Sequence, residues 1–300
     1  MAALILSVAL VPTAHAAPLE VSEIAPGVFV HQGAHEEFGE GYHGDIASIG
    51  FVVGDAAIAV IDTGGSFRTG SALREAIRAR SSLPIRYVIN THVHSDHIFG
   101  NAAFVQDQPE FIGHQRLAAA MRSRGPLYEE NLVRMLGEAA RGSRIVLPTL
   151  AVQEAMTIDL GGRTLSLRAW PTAHTDHDLS VMDEKTATLW TGDLLFVERL
   201  PSLEGDVDGW LSAMQALLAS GAARTVPGHG PVVADAKPSF DKQGRYLRLL
   251  REDVRRGLAE GLKLQQVTAR AAAAEQTQWL LFDSTNPRNA EMLYLKMEWD

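Results

Sequence analysis

Asn90-Thr91-His92-Val93-His94-Ser95-Asp96-His97 places three histidines and one carboxylate within six residues. The apolar run before it, Ile85 to Ile89, reads as a buried strand. A loop leaving such a strand can turn His92 and His94 toward one point, while Asp96 and His97 face a second. Imidazole and carboxylate are the usual nitrogen and oxygen ligands of zinc and related divalent metals. A polar loop that merely caps the next helix would not need four ligand-type residues at this spacing, so the stretch reads as a metal site.

Three residues further along the chain complete the pattern. His174 in Pro171-Thr172-Ala173-His174-Thr175, Asp193 in Thr191-Gly192-Asp193-Leu194 and His229 in Pro227-Gly228-His229-Gly230 are each expected just past a strand end. Loops that leave strands on one edge of a sheet converge, and ligand sites collect there. The glycines beside Asp193 and His229 allow close approach of backbone. His177 competes with His174 on residue type alone.

Outward from these landmarks the chain reads as strands alternating with helices. Glu20 to Val30 is an extended segment with a Pro26-Gly27 turn. His31 to Gly44, with four glycines, three histidines and three glutamates, is a loop able to close over a site. Ala47–Val53 and Ala56–Ile61 form a hairpin, Ser71–Arg80 a helix, and Ile98–Phe104 the start of the helix behind the histidine loop. A strand ends at His114, and Arg116–Arg141 is helical with a break at Gly125-Pro126. The second half repeats the rhythm, with strands at Thr157–Leu160, Thr164–Trp170, Leu179–Met182, Thr188–Thr191 (stopping at Gly192-Asp193) and Thr225-Val226. Helices are expected at Trp210–Ala219 and Phe240–Gly261. The expected fold class is α/β, two sheets covered by helices on their outer faces. With no sharp linker, residues 18–300 are expected to form a single domain.

Composition narrows the function. A chain of 300 residues with 46 % hydrophobic and 21 % charged residues builds a packed core rather than remaining disordered. The formal net charge of -9 argues against nucleic acid or an anionic membrane as the main partner. No cysteine is present, which removes disulfides, thiolate ligands and cysteine nucleophiles together. Ala2 to Val11 is too short to span a bilayer. With Ala14-His15-Ala16 it fits a signal peptide over residues 1–17, although no Lys or Arg precedes Arg68. An exported, periplasmic location is therefore expected.

His92-x-His94-x-Asp96-His97, followed by His174, Asp193 and His229, resembles the metallo-β-lactamase superfamily across nearly the whole mature chain. The resemblance implies an αββα sandwich of two mixed sheets flanked by helices, with two Zn2+ ions at one edge; iron or manganese could replace them, since nitrogen and oxygen ligands discriminate poorly. It implies His92, His94 and His174 on the first metal, Asp96, His97 and His229 on the second, and Asp193 bridging both. A bridging Asp matches hydrolases resembling glyoxalase II, whereas the β-lactamases proper usually carry Cys or Ser there. The lysine that grips the substrate carboxylate in one lactamase group is also absent, and Arg199, the nearest downstream cation, is expected to be solvated. Asp62 resembles the family's Asp after the second strand, which supports the metal loop. His43 and His114 are candidates for substrate contact.

A closer likeness lies in Asn90–His94, Ala169–His174, Thr191–Phe196 and the tail Asn286-Pro287-Arg288-Asn289, which look like the quinoprotein relay system zinc metallohydrolases. That implies a periplasmic quinoprotein dehydrogenase as partner. The expected chemistry is hydrolysis of a small-molecule ester, thioester, lactone or amide by a hydroxide held between the ions, with Asp96 as ligand and handler of its proton. Two other readings stand beside it: a true β-lactamase, and a non-catalytic metal-binding accessory of a periplasmic oxidation system.

Overall fold

The computed structural model describes residues 19–39 and 42–299; the expected signal segment lies outside them. The first half of the chain builds a seven-stranded sheet in chain order: β1 (Ser22–Ala25), β2 (Val28–His31), β3 (Ile49–Val53), β4 (Ile58–Ile61), β5 (Ile85–Ile89), β6 (Glu110–His114) and β7 (Leu150–Val152). Pairing is antiparallel from β1 to β4 and parallel from β4 to β7. Parallel neighbours need crossovers. These are α1 (Phe67–Arg78), then α2 (Ser95–Ile98) running into a 3-10 segment (Phe99–Asp107), then α3 (Leu117–Leu136).

The second sheet holds β8 (Ala155–Asp159), β9 (Thr164–Ala169), β10 (Leu179–Asp183), β11 (Thr188–Phe196) and β12 (Arg224–His229), in the order β12-β11-β10-β9-β8. Only β11 and β12 are parallel, joined through α4 (Val207–Leu218). Helices α5 (Lys237–Ala259), α6 (Leu264–Thr268) and α7 (Phe282–Glu298) close the chain.

The period-2 alternation of the strands builds the layers. Along β4, Ala59 and Ile61 face the second sheet and meet Leu165, Leu167, Val181 and Trp190. Ile58 and Val60 face outward onto Leu73 and Ile77 of α1. On the far side, Leu189, Leu194 and Phe196 of β11 pack against Trp210 of α4 and Leu247 of α5. Each fully buried Val, Leu, Ile or Phe among them stabilises the fold by about 1.5–3 kcal/mol. The result is the expected helix–sheet–sheet–helix sandwich. Arg163, between β8 and β9, ties the sheets together: it forks onto Asp183 at 2.9 and 2.7 Å and donates to the Pro26 and Val53 carbonyls, both at 2.9 Å.

Several expected boundaries are corrected. The first extended segment is a hairpin, β1 and β2, turning at Gly27 with φ 71°. Helix α1 begins earlier than expected because Ser66 accepts from the Thr69 N–H at 3.1 Å and caps it. Helix α3 runs through Gly125-Pro126, its hold coming from buried Leu117, Met121 and Leu132 on both sides of the proline. Strand β11 does not stop at Gly192. That residue takes φ 51° and shifts the register with β12, and the strand resumes to Phe196. A Cβ at Gly192 would meet Thr91 Cβ at 2.6 Å, so only glycine lets β11 pass the histidine loop.

Candidate metal centre

The histidine loop leaves β5 at the edge where β11 and β12 also end. His94 precedes α2, and Asp96 and His97 lie in that short helix. His174 stands in the loop between β9 and β10, Asp193 lies within β11, and His229 ends β12. Asp193 and His229 are thus strand residues rather than loop residues. All seven expected ligand residues are brought together in two groups: His92, His94, His174 and Asp193, and Asp96, His97 and His229.

In the first group, His94 Nδ1 lies 2.9 Å from His92 Nε2 and 3.1 Å from His174 Nε2. Asp193 Oδ2 lies 3.5 Å from His92 Nε2 and 3.3 Å from His174 Nε2. In the second, Asp96 Oδ2 is 3.5 Å from His97 Nε2 and 3.3 Å from His229 Nε2, and Asp193 Oδ1 is 3.2 and 3.4 Å from the same nitrogens. A tetrahedral ion at about 2.0–2.1 Å from each ligand spaces its ligands about 3.3 Å apart. Both groups have that spacing. The spacing fits a cation at each point, and at the second the buried His97 Nε2 and Asp193 Oδ1 have no hydrogen-bond partner.

The outward nitrogens fix the tautomers. His174 Nδ1 donates to the Ser202 carbonyl at 3.0 Å and His229 Nδ1 to the Ile46 carbonyl at 2.7 Å. His97 Nδ1 donates to Asp62 Oδ2 at 2.8 Å, and His94 Nε2 to Glu204 Oε2 at 2.7 Å. Thr91 Oγ1 donates to Asp62 Oδ2 and therefore accepts from His92 Nδ1 at 3.0 Å. Each imidazole thus keeps its other ring nitrogen facing inward. Asp62 also receives the Thr91 N–H at 2.8 Å from a backbone with φ 51°, a conformation Asp tolerates better than most residues.

Charge follows the same design. Burial works against a charged His97, but Asp193, Asp96 and Asp62 outweigh it and hold its basicity well above the ordinary value. Burial lowers His92 well below it. Burial would raise Glu204, yet its bonds to His94 and its pairing with Arg124 hold it well below the carboxylate range.

The remaining candidates divide. Asp62 sits behind the loop as expected. His43 is 74 % exposed on its side chain and pairs with Glu36, so it is not brought to the centre. His114 is buried and accepts from the Arg116 N–H at 3.0 Å. It lines a separate cavity of about 890 Å³ with Arg116, Arg168 and Trp170. His177 is buried against Thr175 and belongs to neither group; burial brings its basicity down to about 4. Arg199, expected in solvent, is only 9 % exposed. It lines a cavity of about 500 Å³ with Asp96, Asp193, His229, Phe38 and Met292. Glu204, which lines the same cavity and holds His94, and Arg124, which pairs with it, complete the surroundings of the centre, and no local pattern announced them.

Two packed sheets with a paired His/Asp cluster at their edge define a metal-hydrolase architecture, and comparison with known proteins agrees. Residues 44–229 match the metallo-beta-lactamase superfamily, and the chain belongs to that family. A Caenorhabditis elegans beta-lactamase-like protein 2 homolog is 26 % identical over 185 residues, 61 % of this chain and 55 % of that protein. The chain thus spans about half the length of that curated relative. Among solved structures, a metallo-beta-lactamase from Pontibacter korlensis superposes with TM-score 0.61 at 20 % identity, covering 77 % of this chain and 99 % of that one. A stereoselective inverting sec-alkylsulfatase from Pseudomonas sp. superposes with TM-score 0.68 at 16 % identity, covering 92 % of this chain and 50 % of that one. No helix among the described residues is long and apolar enough to cross a membrane.

Proposed function

We propose that this superfamily member is an exported dinuclear-zinc hydrolase acting on a small ester, thioester, lactone or amide. The observation that carries the reading is Asp193, whose two carboxylate oxygens are divided between the two ligand groups. His92, His94 and His174 would hold one ion, Asp96, His97 and His229 the other, with Asp193 shared. Ions held there would supply Lewis acidity, bringing a water's pKa toward neutrality and polarising the bond to be broken.

The chain's own residues do the rest. Asp96 lines the cavity as well as the ligand cluster, so its carboxylate is the group placed to orient the attacking water and take up its proton. Glu204 and Asp62 hold His94 and His97 rigid from behind. Phe38, Met135 and Met292 present apolar walls that exclude water around the reacting bond. No serine or cysteine nucleophile is required.

The test is metal analysis together with a substrate panel of thioesters, lactones, esters, amides and β-lactams on protein of known metal content. About two zinc equivalents and a hydrolysis rate that falls by orders of magnitude in Asp96→Asn are expected. Cephalosporins as best substrates would make it a β-lactamase. Full metal loading with no turnover, coupled to capture of a quinoprotein dehydrogenase, would make it an accessory protein. The proposed periplasmic location and dehydrogenase link rest on the N-terminal segment and on the resemblance of the four motif stretches; fractionation of the native host and co-purification test them.

A further inference from the structure

His31, the last residue of β2, stands where a charged imidazole fits and a neutral one does not. Its Nδ1 lies 2.7 Å from the Glu20 carbonyl oxygen, and its Nε2 lies 2.9 Å from both oxygens of Asp45. A carbonyl has no proton to give, and neither has a carboxylate, so both ring nitrogens must donate. A neutral ring carries one N–H and would turn a lone pair onto one of these oxygens. The ordinary values, about 6.5 for imidazole and about 3.9 for Asp, put the proton on the ring rather than on Asp45. His35 and His43 also face carboxylates, Glu198 and Glu36, but each through one nitrogen, which a neutral ring satisfies.

The surroundings of His31 favour the charge. Burial lowers its basicity, but Asp45, and after it Glu20, outweigh this and raise it above the ordinary value. Among the described residues, the other groups around the ring are uncharged. Ser22 and Ile24 come from β1, Ile49 pairs with it from β3, and Val232 comes from the stretch after β12.

Asp45 is where this charge acts. The residues after it run into the metal centre: the buried Ile46 gives its carbonyl to His229 Nδ1–H at 2.7 Å. The Ser48 N–H donates to the Gly228 carbonyl at 2.7 Å, and its hydroxyl donates to the Gly230 carbonyl at 3.3 Å. Residues 45–48 are thus gripped on one side by the end of β12, which carries His229. On the other side they are held by the Gly33 N–H on the Ala47 carbonyl at 3.2 Å, by the Ala34 N–H on the Asp45 carbonyl at 3.0 Å, and by His31. The backbone bonds are indifferent to pH. The His31 pair is not.

We propose that His31 is a proton-operated clamp and a positioning residue for His229. Doubly protonated, it fixes Asp45 and with it the Ile46 carbonyl that orients the ligand ring; when it loses a proton, that hold slackens. Metal ligands are lost to protons as pH falls, and a clamp that tightens over the same range opposes the loss. The inference rests on His229 holding an ion, and not on which bond the protein cleaves.

The test compares wild type with two variants. His31→Gln keeps a donor for Asp45 but no charge. His31→Arg keeps charge and donors at every pH, and the open cavity of about 320 Å³ beside the ring gives it room. Nitrogen-15 NMR should show both His31 ring nitrogens protonated at about pH 6.5 and a titration midpoint above it, brought down in Asp45→Asn. Chelator competition from about pH 6 to 9 then measures zinc affinity in each protein. The ligands titrate alike in all of them, so the ratio to wild type isolates the clamp. His31→Gln should bind zinc about 2- to 30-fold more weakly at the acid end, the usual reach of coupling through a packed network. That gap should close as pH rises, because the clamp is present below the ordinary imidazole value and is lost as pH rises through the raised one. His31→Arg should match wild type at the acid end and exceed it at the alkaline end. A ring with a single proton at about pH 6.5, or a ratio that does not change with pH while zinc is bound, overturns the proposal. Protein that takes up no zinc in any variant fails the metal-centre reading itself, and this inference with it. Should the glutamine variant not fold, the NMR midpoint and the arginine variant decide.

Discussion

Asp193 can reach both ligand groups only because residue 228 carries no side chain. A Cβ at Gly228 would lie 2.0 Å from Asp193 Oδ1, so Gly228→Ala must push the carboxylate off the line between the two ligand groups. Because a single carboxylate serves both, this small change should lower metal occupancy at both points, measured by elemental analysis after dialysis. Loss confined to one equivalent would contradict the bridging role. Glu204→Ala acts from behind, freeing the His94 ring that its Oε2 holds at 2.7 Å. Removal of a partner of this kind costs about 10- to 100-fold in metal affinity, which competition with a chelator measures. Glu204→Gln, still able to accept from the ring, should lose less. The seven clustered histidines and aspartates were legible in the sequence because their chemistry is written in residue type and spacing. Glu204 and Arg199 were not: a lone Glu or Arg in a loop looks solvated, and only the turn at Glu198 and the chain packed against it decide where such side chains go.

Elements explain why that loop holds its shape. The segment from Arg199 to Glu204 joins β11 to the start of α4 and has no regular structure of its own, yet Ser202 receives His174 and Glu204 receives His94. Asn289 of α7 fixes it, accepting from the Leu203 N–H at 2.8 Å and donating to the Pro201 carbonyl at 2.7 Å. The tail motif Asn286-Pro287-Arg288-Asn289 therefore has a structural use independent of any partner. Asn289→Ala leaves buried backbone groups unpaired at a cost of about 1–3 kcal/mol each. It should lower both the melting temperature and the metal affinity; a fall in stability with metal affinity intact would separate the tail from the centre. Strand boundaries show the converse limit of sequence reading. Gly192 looked like the end of a strand, and local propensity alone says so, but parallel pairing with β12 carries β11 onward to Phe196. Long-range pairing overrides the local signal, and it is this extension that puts Asp193 in a strand.

At the scale of the molecule, the site and the sandwich depend on each other. His92, His94, Asp96 and His97 leave the first sheet, while His174, Asp193 and His229 belong to the second. Ions held between them would staple the sheets at one edge. Arg163 staples them in a different way, its guanidinium forking onto Asp183 while reaching carbonyls of the first sheet. Burial would raise the Asp183 carboxyl, but the Arg163 bonds outweigh it and hold it below its ordinary value. A carboxyl depressed in the folded state stabilises above its unfolded value, about 3.9, and that contribution disappears as pH falls through the folded one. Asp183→Asn, which leaves a buried guanidinium uncompensated, should therefore cost about 3–5 kcal/mol at neutral pH. In denaturant titrations the gap to wild type should narrow only below about pH 4.

The two staples lead to a prediction about the whole chain. If the halves were independent units, removing metal would loosen each edge separately and calorimetry would show two transitions. The shared core argues otherwise, since Val28, Ile61 and Ile89 of one sheet pack directly on Leu165, Val181 and Trp190 of the other. We expect residues 18–300 to unfold in one transition, with and without metal. Chelation should shift that transition to lower temperature as a unit, because ions bound only by the folded chain stabilise it by about 2.7 kcal/mol at a hundredfold excess over Kd. Zinc added back should restore it, and Gly228→Ala, in which the bridge is already displaced, should respond to chelator far less than wild type does. A chelator-induced second transition, or an equal shift in the variant, would mean that the ligand groups do not join the two sheets.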